Sequence, residues 1–266
     1  MKFDFSFDER VARQYEEQRR HPAEVSRQIG AAIVDLAGAG ADILEIGVGT
    51  GRIARPATEA GCRVVGLDLS GNMLAEVKRA LADQAPFALL QADMHQLPMP
   101  AQHFDAVMAV HVLHLATDWQ QVVRECVRVL RPGGVFIQGD DWIDPESVTG
   151  RLRDELRRQA MALYPDARPP AAGIAKESFW DAMGATAKQT MIAAEWTTWL
   201  SPNERLHLIE QRMDAESWMF PQPIFDQLFA RLQAYASATW ADLDAQLPVT
   251  RRFNFTVTTG NWGHAA

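Results

Sequence analysis

At 266 residues, 47% of them hydrophobic and 23% charged, the chain is long enough for one α/β domain with an elaboration and has an ordinary globular composition. A net charge of −8 speaks against nucleic acid as the main partner, because neutralising phosphates needs a basic face. No apolar run reaches membrane-spanning length, and the N-terminus carries early acids and no continuous apolar core, so neither membrane association nor secretion is expected. The two cysteines, Cys62 and Cys126, fall in segments that should pack. They read as buried thiols of a reducing, cytoplasmic compartment.

Residues 8–36 have apolar positions at helical spacing (Val11, Tyr15, Val25, Ile29, Ile33, Leu36), and His21-Pro22 should divide them into two helices. Ile43 to Ile46 is a short apolar run holding one acid, Glu45. It leads into Gly47, Gly49 and Gly51, whose lack of Cβ lets a loop press against a bound molecule. From Ile43 onward strand and helix alternate, the pattern of a parallel sheet. The second strand, Arg63–Asp68, ends in a carboxylate placed to accept from both vicinal hydroxyls of a ribose, and Ser70 is the better N-cap for the helix 71–83. Strands at 87–91 and 104–110 follow, then a helix capped by Asp118 with an apolar stripe from Val122 to Leu130. Arg131-Pro132-Gly133-Gly134 reads as a type II turn into a fifth strand, 135–138. Helices are expected at 145–163 and 178–185, a strand at 189–200, helices at 203–217 and 222–245, and a last strand at 251–259.

Glu45-x-Gly47-x-Gly49-x-Gly51, Asp68 at the second strand end, Ala92-Asp93-Met94 at the third and Leu130-Arg131-Pro132-Gly133-Gly134 before the fifth together resemble the class I S-adenosylmethionine (SAM)-dependent methyltransferases. The likeness covers about residues 40–140 and is strongest to the methyltransferase type 11 and quinone-biosynthesis C-methyltransferase-like subgroup. It implies a Rossmann-like, seven-stranded, mostly parallel sheet with helices on both faces. Three parts are expected: an N-terminal helical flap (1–40), a SAM-binding core (41–140), and a remainder (141–266) whose helical cap at about 203–245, inserted before the last strand, covers the substrate site.

The same resemblance implies the site. Glu45, Gly47, Gly49 and Gly51 form the cofactor loop, and Asp68 holds the ribose. Asp93 accepts from the adenine amine while the Met94 N–H meets a ring nitrogen. Leu69, Met73 and Met94 supply apolar surface to the ring faces; each Met could equally be core filler. Tyr15 and Arg19 or Arg20 are candidates for the cofactor's carboxylate end, though a charged, solvated helix explains them as well.

Methyl transfer from a sulfonium needs alignment above all, and a base only when the acceptor arrives protonated. His111, just after the fourth strand, is the leading base or polar contact for the acceptor, with His114 second; Asp140, Asp141 and Trp142 lie near the same strand ends. A metal site from His111, His114 and Asp118 is disfavoured because Asp118 serves better as a cap. Late aromatics from Phe179 to Trp240 are expected mainly in core packing. Two rival readings remain at this level: a non-catalytic SAM-binding protein, and an NAD(P)-linked oxidoreductase, which calls for G-x-G-x-x-G and has no use for Asp93. The acceptor is expected to be a small molecule, and neither its identity nor the oligomeric state is readable.

Overall fold

The computed structural model describes residues 20–80, 87–163, 177–213 and 220–262. In chain order the elements are α1 (Ala23–Ala37), β1 (Asp42–Ile46), α2 (Ala54–Glu59), β2 (Arg63–Asp68), α3 (Gly71–Ala80), β3 (Ala88–Gln91), β4 (Phe104–Val110), a 3₁₀ turn (Leu113–Leu115), α4 (Trp119–Val129), β5 (Leu130–Ile143), α5 (Val148–Leu163), α6 (Glu177–Ala182), β6 (Ala185–Leu200), α7 (Pro202–Glu210), α8 (Gln222–Thr239) and β7 (Leu247–Gly260). The strands form a single sheet in the order β3-β2-β1-β4-β5-β7-β6. β1 pairs in parallel with β2 and β4, β2 with β3, and β4 with β5. The order reverses between β1 and β4, which puts a crevice at the carboxyl ends of those two strands.

β7 runs the other way. Thr186 meets Thr259 and Thr190 meets Thr256, so β6 and β7 are antiparallel. Asp140 meets Asn254 and the Asp144 N–H donates to the Thr250 carbonyl, which makes β7 antiparallel to β5 as well. The mostly parallel, seven-stranded sheet expected from the sequence is therefore present.

The strand faces follow period 2. Leu44 and Ile46 of β1 join Val107, Ala109, Phe136 and the stripe Val122, Val123, Cys126 and Val127 of α4 in one buried cluster, which also takes in Trp180 and Trp262. Ile43, also fully buried, points to the opposite face. α1 and α2 pack tightly: a Cβ on Gly30 would lie 2.4 Å from the Pro56 carbonyl oxygen. Both cysteines are buried and reduced, and burial drives the Cys126 thiol far above its usual pKa.

The amino ends of the parallel strands are locked by charge. Arg131 bridges Asp105 (2.6 Å) and Asp42 (3.0 Å), Arg63 pairs with Asp42 (2.6 Å), and the Asp42 N–H donates to Asp105 (2.8 Å). Gly133, two residues after Arg131, has φ +80°, as the third position of the expected type II turn requires. The structure carries that turn as a bulge inside a longer β5: Phe104 faces Leu130, yet Ala106 already faces Val135.

The chain divides into two compact units. Among the described residues, one comprises those within 20–140, 177–194 and 253–262; the other comprises those within 141–163 and 195–252. The second has its own core, in which α5 (Leu152, Leu156) packs with α7 (Leu206, Ile209) and α8 (Phe225, Leu228, Phe229, Leu232). The helical insertion between β6 and β7 is present, and the unit to which it belongs begins earlier than the expected cap, because α5 shares its core. α7 opens on a full capping box between Ser201 and Glu204.

Several boundaries differ from expectation. α8 stops at Thr239 rather than 245. Residues 242–244 turn on an Asp242–Asp244 contact, and Asn203 bonds both the Leu243 carbonyl and Asp244, pulling the chain off the helical path. α7 ends at Glu210, with Arg212 left-handed at φ +55°. β5, β6 and β7 are each longer than expected because sheet pairing extends strands into polar sequence.

Candidate cofactor site

The glycine loop after β1 has the backbone that its sequence implies. Gly47, Gly49 and Gly51 all have positive φ, at +65°, +55° and +77°. Gly47 has a second reason to lack a side chain. A Cβ there would lie 2.2 Å from Val112 Cγ2, so the segment leaving β4 passes directly against the loop. That contact brings His111, the residue before Val112, next to the first glycine. His111 is itself left-handed, at φ +50°. A non-glycine residue held there is uncommon, and such backbone clusters at functional sites.

Asp68 fastens the loop to β2. Its Oδ2 accepts from the Gly49 N–H (2.9 Å) and its Oδ1 from the Ser70 N–H (2.8 Å). Burial pushes its pKa upward, while the N–H groups of Ser70, Gly49 and Leu69 pull it back. Each oxygen keeps a second lone pair, so the carboxylate can still accept from two hydroxyls. Ser70 caps α3 through Met73 N at 3.3 Å, which leaves Asp68 free of that duty, as expected. Leu69, the next residue after Asp68, is 69% exposed. A large apolar side chain that open beside a strand-end acid suits a flat ring lying over it.

Glu45 is 2% exposed. Its carboxyl accepts from the Ala54 N–H, Oε2 is buried without a hydrogen-bond partner, and burial pushes its pKa up to about 8 against the pull of the Arg52 charge. Arg52 donates to the Nε2 of buried His21 at 2.7 Å. A guanidinium can only donate, so this His21 nitrogen is the acceptor. Phe253 packs edge-on against the imidazole and lies 5.6 Å from the guanidinium. His21 and Arg52 were not singled out as a pair by the sequence, because 31 positions separate them and only folding brings them together.

At the third strand end, Asp93 accepts from both the backbone N–H (2.9 Å) and Nδ1 (2.7 Å) of His95, and these contacts hold its carboxyl below the usual range. Met94 is partly buried against the core. Met73 is 4% exposed, and its Cε lies 3.3 Å from where a Cβ on Gly49 would be, so it backs the loop. His114 is exposed on the 3₁₀ turn, and Asp118 caps α4 by accepting from Gln121 N (3.0 Å). Tyr15 and Arg19 lie outside the described residues.

Of the remaining expected residues, Asp140 accepts from Asn254, and Trp142 is covered by the Arg252 guanidinium at 4.5 Å, which Glu195 pairs at 2.6 Å. Among the late aromatics, Phe179 and Trp180 pack with one core, while Phe220, Phe225, Phe229, Tyr235 and Trp240 pack with the other. Trp199 is 63% exposed, and Trp218 lies outside the described residues.

This geometry agrees with what the chain is similar to. Residues 44–138 match the model of the methyltransferase domain family. Over 100 residues the chain is 41% identical to malonyl-[acyl-carrier protein] O-methyltransferase of Enterobacter lignolyticus, covering 36% of this chain and 37% of that one. Over 108 residues it is 41% identical to the ubiquinone/menaquinone biosynthesis C-methyltransferase UbiE of Syntrophotalea carbinolica, covering 39% and 46%. The chain thus spans less than half the length of these curated relatives. The crystal structure of the YcgJ protein of Bacillus subtilis superposes with a TM-score of 0.58 at 16% identity, over 89% of this chain and 99% of that one, and shares the fold. Residues 44–138 are thus similar to SAM-dependent methyltransferase domains, whose cofactor is S-adenosylmethionine.

Proposed function

We propose that the chain transfers a methyl group from S-adenosylmethionine to a small-molecule acceptor. The observation that carries the reading is the clasp at the ends of β1 and β2: a left-handed glycine loop tied by Gly49 N–H to Asp68, with Leu69 exposed beside it. The residues suit the cofactor. Asp68 accepts from the ribose hydroxyls, Leu69 packs on the adenine, and Asp93 accepts from its amine. The buried carboxyl of Glu45, which holds its proton below about pH 8, can ionise beside a cationic ligand near Gly47. Tyr15 and Arg19 are assigned to the carboxylate end on sequence alone.

When bound, S-adenosylmethionine would supply a methyl on a positively charged sulfur: an acceptor lone pair would bond to the methyl carbon in line with the carbon–sulfur bond, which breaks so that the sulfur leaves as a neutral thioether. The chain's part is chiefly orientation, which supplies roughly 7–11 kcal/mol in well-aligned reactions. His111, held rigid in its left-handed backbone beside Gly47, accepts the acceptor's proton when there is one to lose. The alternative, SAM binding without turnover, uses the same cofactor residues and is separated from methyl transfer by turnover alone.

The test is turnover. Purified protein with S-adenosylmethionine and a panel of phenols, amines, carboxylic acids and carbon acids should form S-adenosylhomocysteine with at least one of them. Saturable cofactor binding with no product across the panel would favour the binding-only reading. Among proton-bearing acceptors, His111→Asn should keep the fold, since Asn tolerates the left-handed region, and lower kcat by about 10²–10⁴-fold with little change in cofactor affinity.

A further inference from the structure

We propose that His95 is a positioning residue that aims Asp93 at the exocyclic amine of adenine, so that selection of an adenosyl ligand over its deaminated counterpart depends on the imidazole as well as on the carboxylate. The proposal rests on the cofactor reading above.

Asp93 is 56% exposed, and an exposed carboxylate ordinarily samples several rotamers. Here one oxygen is committed twice: Oδ1 accepts from both the His95 N–H and the His95 imidazole. The bonds recorded among the described residues all fall on Oδ1, which leaves Oδ2 facing away from His95 in a fixed orientation. A fixed acceptor discriminates among donors because the ordering of the side chain has been completed on folding.

His95 is held from its other side. Its Nε2 lies 3.2 Å from Thr117 Oγ1 and 3.4 Å from the Asp118 backbone nitrogen. A backbone N–H can only donate, so Nε2 is the acceptor, and the neutral imidazole carries its proton on Nδ1, where it points at Asp93. The tautomer is thus set by the first residue of the α4 cap, since Asp118 also accepts from Gln121 N. The chain from the α4 N-terminus through His95 to Asp93 lies within one compact unit.

The rest of this loop does not rely on His95. Leu97 N–H donates to Glu125, and Arg128 holds the carbonyls of Leu97 and Met99 at 2.9 and 2.8 Å while pairing with Glu125. Replacing His95 should therefore remove the imidazole bond, leave Asp93 with the backbone N–H of residue 95 alone, and keep the loop anchored. The substitutions also separate the two halves of the idea. Asn can place an N–H donor where Nδ1 stands and loses the link to Asp118, whereas Leu supplies neither.

Calorimetric titration with S-adenosylhomocysteine and S-inosylhomocysteine, in which a carbonyl oxygen replaces the amine, reads the effect without turnover. Wild type should prefer the adenosyl ligand by about tenfold or more, since a site built to bond an amine rejects the analogue lacking it. His95→Leu should bring the two dissociation constants within about threefold, chiefly by weakening the adenosyl ligand and so losing one charge-assisted bond. His95→Asn should recover most of the preference, with thermal midpoints close to wild type in both variants. A His95→Leu protein that keeps the wild-type ratio overturns the proposal, as does a wild type that binds both ligands equally. Wild type that binds neither contradicts the cofactor reading itself, and that outcome is seen before any substitution is made.

Discussion

Glu45 carries the largest electrostatic burden of the site residues. Burial raises its pKa from the usual 4.5 to about 8, so between those values the folded protein holds a proton that the unfolded chain releases. Stability from this group is therefore full below about pH 4.5 and declines as pH rises to about 8, by an amount on the order of a few kcal/mol. Glu45→Gln should melt higher than wild type at pH 9, with the gap closing towards pH 5. An equal gap at both pH values would mean that Glu45 ionises normally. A cation bound beside it favours the carboxylate, so SAM affinity should rise with pH up to about 8 and binding should release a proton. Heats measured in buffers of different ionisation enthalpy would detect that release. Asp68 acts on both loop and ligand. Asp68→Ala removes the tie to Gly49 and Ser70 along with the ribose acceptor, and should weaken SAM at least about tenfold. Unchanged affinity by calorimetry would remove Asp68 from the site.

Among the elements, the glycine loop and the turn into β5 show why a motif needs its residues. Gly47→Ala would place a Cβ in a left-handed position and against Val112, so it should both lower the melting temperature and abolish SAM binding. At the other end of the sheet, Arg131 ties β5 to β1 and β4 through Asp105 and Asp42. Arg63 foremost, together with Arg131, holds the Asp42 carboxyl down at about 2, so its contribution is complete above pH 3.8 and fades as pH falls through about 2. Arg131→Met should lower the denaturation midpoint only modestly near neutral pH, read by denaturant titration, because a partly exposed network is screened. SAM affinity should hardly move, since this lock lies at the strand ends away from the glycine loop. These motifs were legible before folding because each needs a special backbone or a strand-end acid. The His95–Asp118 link and the His21–Arg52 pair were not, because sequence shows the residue types and not which of them tertiary folding brings together. The end of α8 was not legible for the same reason: the chain just beyond it is held by Asn203 of α7.

For the molecule as a whole, strand order and motif order agree. The sheet reverses between β1 and β4, and the described residues proposed for the cofactor and the acceptor proton lie at or near the carboxyl ends of β1, β2, β3 and β4. Alternating strand and helix signals made the parallel half of the sheet readable in advance. The separate core of α5, α7 and α8 was harder, since an apolar helical stripe does not say which partner will cover it. If this sheet clasps an adenosyl sulfonium, titration calorimetry with S-adenosylmethionine should show saturable binding at one site per chain, weakened at least about tenfold in Asp68→Ala, with no response to NAD. Uptake of NAD by a protein that ignores S-adenosylmethionine would show that the clasp serves another ligand.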